Sequence, residues 1–217
     1  VTSVNHLNTY GVFSSMSGIN SEQERAQLLN SFARMYAPAI GTGATMDYLG
    51  QTGRDALKGA DIIKAAPEQY TSTIEYADNG IAKYLRDVVR VHTANLGTQI
   101  FYTAHGPFDT HFNQPPMHAR LWTEVSRAIS DFFDDLREHD AADNLVMMIF
   151  TEFGRRVRDN GTGTDHGAGG GAFIIGDNVK GGMYGTYPSL KPEDLNQGDL
   201  DPNYDFRGFY SSVIDQW

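Results

Sequence analysis

The sequence predicts an α/β fold in which a mainly helical first part, residues 1–97, precedes a segment of alternating strands and helices, residues 98–217. Apolar residues in the first part recur at intervals of three and four, as on one face of a helix. After Gly97 they fall into short runs bounded by turn residues, which is typical of strands. A long amphipathic helix separates two of these runs, and strand, helix, strand is the order of a βαβ unit with parallel strands.

The first part begins its helical pattern at a capping box, in which Ser21 and Glu24 can satisfy each other's backbone amides. We expect a first helix over about residues 22–36. The second and third helices follow from later apolar positions, and Gly97 is expected to stop the third. These positions are Met46, Leu49, Leu57, Ile62 and Ile63 for the second helix, and Ile81, Leu85, Val88, Val89 and His92 for the third.

The second part reads as strands around one long helix. Residues 99–104 are predicted as a strand, and residues 145–151 as a strand buried on both faces. A shorter strand is expected over residues 172–176. The helix between the first two strands has one continuous apolar face, formed by Met117, Leu121, Val125, Ile129, Phe132, Phe133 and Leu136.

Composition limits the class of protein. The 217 residues suit a single domain, and a formal net charge of −10 argues against binding to nucleic acid or to an anionic membrane. No cysteine is present, which excludes disulfides and thiolate metal sites. No apolar run is long enough to span a membrane. The chain begins without Met and ends within an amphipathic pattern, so we expect it to be a fragment or a processed product.

Acidic and histidine side chains follow the predicted strands. Asp109 and His111 come after residues 99–104, Glu152 directly follows residues 145–151, and a glycine-rich loop carries Asp165 and His166. Loops at the carboxyl ends of parallel strands converge, so these residues are expected at one edge of the sheet. Carboxylates and imidazoles are the ligands that zinc, manganese and iron favour, and this set predicts a metal site.

Each motif also has a structural interpretation. An Asp-His pair in a glycine-rich loop is more often a capped turn, and Asp109 can cap a helix or a turn. Glu152 can simply pair with a neighbouring arginine. Arg155 can bind an anionic substrate through two hydrogen bonds, or form a surface ion pair with Asp159 or Glu152. His105 and His118 flank the Asp109 loop and are further candidates for the site.

Several motifs in fixed order resemble the bacterial family called domain of unknown function 1501. The resemblance runs from about residue 98 to the end and rests on Phe108-Asp109-Thr110-His111, Thr151-Glu152-Phe153-Gly154-Arg155-Arg156, Gly163-Thr164-Asp165-His166-Gly167, Val179-Lys180-Gly181-Gly182 and Asp205-Phe206-Arg207. That family is similar to the alkaline phosphatase and sulfatase superfamily. The resemblance implies a doubly wound, mostly parallel sheet flanked by helices, incomplete in this fragment.

Members of the superfamily usually hold a phosphate or sulfate ester with two metal ions. By resemblance, Asp109 and His111 would ligate one metal, Glu152 would stand where relatives carry an aspartate, and Asp165 with His166 would supply later ligands. The cofactor would be a divalent ion such as zinc, manganese, iron or calcium. This sequence departs from the superfamily at Phe153, where relatives carry a histidine ligand, and the nucleophile is expected upstream of Val1.

The resemblance therefore implies the carboxyl-terminal part of a metal-dependent hydrolase of phosphate or sulfate esters, with Arg155 as the candidate catalytic residue. The alternative is an exported binding or structural protein that keeps the fold without catalysis. Expected partners are a small anionic ester and the missing amino-terminal part of the same chain, with no nucleic acid and no membrane span. Relatives commonly carry an export signal, which implies a periplasmic or secreted location.

Overall fold

The computed structural model describes residues 41–52 and 70–216, together with scattered positions between 23 and 37. The chain divides into two compact units, Val1–Ala104 and His105–Trp217. In the first unit, the described positions from 23 to 35 are helical, as predicted, and so are residues 44–52. The remainder of the second predicted helix, with Leu57, Ile62 and Ile63, lies outside the described residues.

The third predicted helix is confirmed as α1, Gly80–Thr93. The side chain of Asn79 caps it by accepting a hydrogen bond from the Ala82 amide at 3.0 Å. One face is buried along the helix, and the backbone turns away after Ala94, three residues before the predicted stop at Gly97. The buried apolar residues of α1 are Ile81, Ala82, Leu85, Val88, Val89 and Val91.

Residues 99–104 do not form the predicted strand, which corrects the sequence interpretation. They are described without strand structure, and Ile100 and Tyr102 are exposed. A strand needs a neighbour to pair its amides and carbonyls, and an apolar run alone does not supply one.

The second unit contains the predicted long helix, α2, Gln114–Glu138. Pro115 and Pro116 occupy its first turn, where their missing amide hydrogens cost nothing because those amides have no helical partner. The predicted apolar face forms the core of this unit, except that Met117 and Ile129 are only half-buried. Its buried apolar residues are Leu121, Val125, Ala128, Phe132, Phe133 and Leu136.

In the part of the chain that the structure describes, four short strands form two separate antiparallel sheets. β1, Met147–Ile149, pairs with β4, Phe173–Ile175, while β2, Gly154–Asp159, pairs with β3, Thr164–Gly167. β1 and β4 lie inside two of the predicted strands, but β1 is only half-buried, and β4 is half-buried with Phe173 exposed. Helices and strands are mixed, as predicted, but the described strands show no parallel pairing. The chain from β1 to β4 contains a hairpin rather than a crossover helix, and an antiparallel return needs no crossover.

The last helix, α3, Phe206–Gln216, buries none of its described side chains. Its Tyr210 ring meets Phe150, just after β1, edge to face at 5.5 Å. None of the described helices is both long and apolar enough to cross a membrane.

Candidate metal centre

The segment before α2 presents two side chains outward around a buried anchor. Thr110 is 3% exposed, whereas its neighbours Asp109 and His111 are exposed. The loop is also held by the Phe108 ring, which meets His118 and Trp122 of α2 edge to face at 5.7 and 5.6 Å. Because Phe108 and Thr110 pack inward, the side chains of Asp109 and His111 lie at the surface.

The β2–β3 hairpin brings His166 to the same place. The Asn160 side chain closes the turn by accepting from the Thr162 and Gly163 amides, and its own amide donates to the His111 carbonyl at 3.0 Å. A Cβ atom at Gly163 would lie 2.7 Å from that carbonyl oxygen, so only glycine permits this approach. The turn of the hairpin is thereby fastened to the loop that carries His111.

One carboxylate oxygen lies between two imidazoles. Asp109 Oδ1 is 2.7 Å from His166 Nε2 and 2.9 Å from His111 Nε2. The imidazole rings stack on one another with centroids 4.8 Å apart. One ligand atom from each of the three residues lies within 4.8 Å of the others. These three residues form the candidate metal triad.

The second nitrogen of His111 has a different partner. His111 Nδ1 lies 3.3 Å from Asp165 Oδ1, on the side of the ring away from Asp109. A carboxylate that accepts from the far nitrogen of a metal-binding histidine fixes the tautomer and orientation of the ring. Asp165, predicted as a ligand, is thus placed to orient His111.

Phe153 stacks on the His166 ring. The Phe153 and His166 rings are nearly parallel, 10° apart in plane, with centroids separated by 3.8 Å. The Arg155 guanidinium lies over Phe153 at 5.2 Å from the ring centroid. His166 therefore stacks with both Phe153 and His111, which restricts rotation of its imidazole.

Arg155 hydrogen-bonds to the protein at three points. Nη1 donates to the Thr164 carbonyl and Nη2 to the Phe108 carbonyl, each at 2.6 Å, and Nη2 also lies 3.2 Å from Thr110 Oγ1. The side chain is half-buried. Both terminal nitrogens thus contact main-chain oxygens of the two segments that carry the triad.

The electrostatics of the triad favour a cation. The pKa of Asp109 lies below its ordinary value, chiefly because His166 hydrogen-bonds to its carboxylate; partial loss of solvent opposes this effect, and His111 adds to it. Asp109 therefore stays ionised, and Asp165 adds a second carboxylate beside His111. The triad side chains are also open to solvent, at 59% for Asp109, 45% for His111 and 42% for His166.

Two imidazole nitrogens and one carboxylate oxygen suit zinc, manganese or iron. Ligand bonds of ~2.0–2.1 Å place neighbouring donors roughly 3.3 Å apart. In the triad, Asp109 Oδ1 is 2.7 and 2.9 Å from the two Nε2 atoms, and the ligand atoms all lie within 4.8 Å of one another. The same two-histidine, one-carboxylate set also holds Fe(II) in proteins. Calcium prefers six to eight oxygen ligands, so this donor set fits calcium least well.

Three of the five sequence-predicted ligands converge. Asp109, His111 and His166 form the triad and Asp165 adjoins it, whereas Glu152 is exposed and is not one of the residues that meet there in the described part of the chain. His105 and His118 contact the Phe108 ring instead.

Sequence reasoning missed the hairpin and the residues that support the triad from it. The Asn160-Gly161 dipeptide is a recognised hairpin signal that could have revealed the turn. The contacts of Phe153 and Thr110 have no comparable sequence signal, because they depend on residues that lie far apart along the chain.

Comparison with curated proteins gave no match, and comparison with solved structures gave none either. The sequence profile of one family, described as protein of unknown function (DUF1501), matches residues 86–200, just over half of the chain. The match includes the β2–β3 hairpin, all of the triad and the loop before α2 that carries Asp109 and His111, here called the ligand loop. The chain therefore belongs to the DUF1501 family.

Proposed function

We propose that this chain is part of a metal-dependent hydrolase of phosphate or sulfate esters, with one divalent cation held by Asp109, His111 and His166. The convergence of three ligand atoms from two separate segments is the observation that carries this proposal. Three protein ligands leave coordination positions open, which is typical of catalytic rather than structural sites.

The exposure of the triad supports a site that a substrate can reach. A divalent cation there would supply Lewis acidity to an ester oxygen of the substrate. Asp109 and the two histidines would bind the ion, and Asp165 would keep His111 in the tautomer whose Nε2 faces it. Glu152, which was predicted as a metal ligand, is not part of the proposed site, because it is not among the described residues that converge in the triad.

The alkaline-phosphatase-like fold belongs to the proposal as well. A doubly wound parallel sheet would need strands in addition to β1–β4, which pair antiparallel. The support for this fold is therefore the order of the motifs along the sequence. The periplasmic or secreted location is proposed on the same resemblance. Fractionation of cells that produce the full-length protein tests the location directly.

One observation favours the second candidate, an exported binding or structural protein without catalysis. The hydroxyls of the threonines near the ligands all have protein partners: Thr110 with Arg155, Thr151 with the Phe153 carbonyl and Thr164 with Gln114. Each of these three hydroxyls already contacts a protein group, and none of those groups is a general base beside the triad. A hydrolase in which none of them acts would need water or a residue elsewhere as its nucleophile.

Metal analysis combined with ester hydrolysis separates the two candidates. We expect the purified full-length protein to bind one zinc, manganese or iron ion and to hydrolyse p-nitrophenyl phosphate or p-nitrophenyl sulfate. His166→Ala should remove both properties, while His92→Ala, a histidine of α1 outside the triad, should retain them. Stoichiometric metal without hydrolysis of either ester would favour the binding protein, and absence of bound metal would refute the metal centre.

A further inference from the structure

Arg155 stands opposite His166 in the β2–β3 hairpin, but its side chain also reaches the ligand loop. We infer that Arg155 is a positioning residue of the metal centre, which ties the Asp109 loop to the His166 strand. The inference rests on the proposed metal centre. It differs from the sequence expectation, in which Arg155 binds an anionic substrate.

The contacts of Arg155 join the two halves of the triad. Phe108, whose carbonyl accepts from Nη2, directly precedes Asp109, and Thr164, whose carbonyl accepts from Nη1, lies two residues before His166. The guanidinium is a rigid planar fork, so two hydrogen bonds to different segments fix the distance between those segments. Hydrogen bonds from a charged donor are also stronger than neutral ones.

The third contact supports the same role. Thr110 lies between Asp109 and His111, is 3% exposed, and has its hydroxyl 3.2 Å from Arg155 Nη2. Arg155 thus binds the main-chain carbonyl of Phe108, before Asp109, and the side-chain hydroxyl of Thr110, after Asp109. Because the guanidinium is engaged in this way, the geometry favours orientation of the ligands over contact with a substrate anion.

Charge and positioning predict opposite effects on metal binding. The positive charge of Arg155 repels a nearby cation, so its removal would strengthen metal binding if charge were the main effect. If positioning dominates, removal lets the loop and the strand separate and weakens metal binding. Lysine keeps the charge but cannot donate in two fixed directions, so Arg155→Lys separates the two effects further.

The test compares Arg155→Met and Arg155→Lys with the wild-type chain and with Arg158→Met, a matched change at an exposed arginine of β2. Titration with Zn²⁺ and Co²⁺ measures affinity, and the visible absorption of bound Co²⁺ reports the ligand geometry. We expect both Arg155 variants to bind roughly 10- to 100-fold more weakly, as is usual when a residue supporting metal ligands is lost. Their Co²⁺ spectra should differ from wild type, and Arg158→Met should match wild type.

Urea unfolding shows whether each variant is folded, so that a general loss of structure is not mistaken for a positioning effect. Long-range ¹H–¹⁵N spectra of the His111 and His166 imidazoles, recorded without metal, then test the inference even if the wild-type chain binds no metal. Changed imidazole signals in folded Arg155→Lys, with unchanged signals in Arg158→Met, support it. The inference would be overturned by imidazole signals that are unchanged in Arg155→Lys as well as in Arg158→Met, or by tighter metal binding in Arg155→Met.

Failure of the proposed function has a different signature. A wild-type chain that binds no Zn²⁺ or Co²⁺ refutes the metal centre, while altered imidazole signals in Arg155→Lys would still support the link between the loop and the strand. A wild-type chain that binds metal, together with an Arg155→Lys variant that binds it equally well with the same spectrum, refutes the positioning role alone.

Discussion

The two ring nitrogens of His111 contact different carboxylates, Asp109 through Nε2 and Asp165 through Nδ1. In the proposed metal centre, Asp109 is therefore a ligand, whereas Asp165 orients the ligand His111. The sequence could not separate them, because aspartate serves in both roles and Asp165 is adjacent to the ligand His166.

Removal of Asp165 should weaken metal binding without changing the set of ligands. For Asp165→Ala we expect Co²⁺ affinity to fall about 10- to 100-fold, because His111 loses the partner that fixes its tautomer. The visible spectrum of the saturated Co²⁺ complex should stay close to wild type. Asp143→Ala, a change at an exposed aspartate before β1, is the matched control. A spectrum that indicates a lost ligand would instead make Asp165 a direct ligand.

Phe153 is a second case in which the local surroundings decide the role of a residue. The resemblance treats it as the loss of a histidine ligand, yet its ring stacks on His166 with centroids 3.8 Å apart. Contact over the whole ring face holds the imidazole in one plane. A side chain at this position can therefore support the site without contributing a ligand atom.

At the scale of elements, the β2–β3 hairpin carries His166, Arg155 and the turn that binds the His111 carbonyl. Its base packs too closely for any side chain at Gly154: a Cβ atom there would lie 1.7 Å from the Gly169 carbonyl oxygen. The hairpin therefore depends on glycine at its first residue.

Gly154→Ala should disturb both folding and the metal site. We expect the free energy of unfolding, measured in urea, to fall by about 1–3 kcal/mol, because the main chain must move to admit the methyl group. Co²⁺ binding should weaken in parallel, since the same strand carries Arg155. Gly171→Ala, where an added Cβ meets nothing within 4 Å, should leave both measurements near wild type. Equal effects of the two changes would contradict this account of the hairpin.

An ion pair links α2 to the turn after β4. Arg137 donates to both carboxylate oxygens of Asp177, at 3.0 and 2.6 Å, and also binds Asp134 on its own helix. The hydrogen bonds from Arg137 hold the pKa of Asp177 below its ordinary value of 3.8, although slight loss of solvent opposes this. The ion pair therefore connects α2 with a turn that follows it along the chain only after β1–β4.

The contribution of Asp177 should depend on pH in one direction. A carboxyl whose pKa is lower in the folded state stabilises the protein above its unfolded pKa, and this is lost as the pH falls through the folded value. We expect Asp177→Asn to reduce the free energy of unfolding at neutral pH, with the difference shrinking below about pH 4. Urea unfolding across this range measures it. A difference that grows toward acid pH would contradict the lowered pKa.

At the scale of the whole molecule, the three residues of the candidate metal triad, and the described residues that hydrogen-bond to them, belong to the second unit, His105–Trp217. This unit also has its own apolar core along α2. The helices described before residue 105 contribute no ligand to the triad. The metal centre and the core that supports it therefore occur together in one compact unit.

The second unit should hold metal without the first. We expect a chain of residues 105–217 to bind Co²⁺ with the spectrum of the full chain and an affinity within about tenfold, because every ligand and supporting contact is retained. Circular dichroism checks that the shorter chain is folded. Folded protein with no Co²⁺ binding would show that the site needs the first unit.

The sequence by itself predicted helices α1 and α2 and a set of five candidate ligands that includes the three residues of the triad. α1 and α2 follow directly from apolar residues spaced three and four apart, a local signal that tertiary contacts reinforce. The chemistry of Asp109, His111 and His166 is likewise evident from residue type and from their position in loops. The family was predicted from short motifs, and its sequence profile covers all three residues.

Only the tertiary structure decided strand pairing and the roles within the site. Residues 99–104 have an apolar run, but none of the described strands pairs with them, and β1 pairs antiparallel with β4 although the β2–β3 hairpin lies between them along the chain. Asp165, Glu152 and Arg155 carry the same charges in any fold, yet one orients His111, one lies apart from the triad and one joins two segments. These differences arise from contacts between residues more than forty positions apart along the chain, for which local sequence carries no signal.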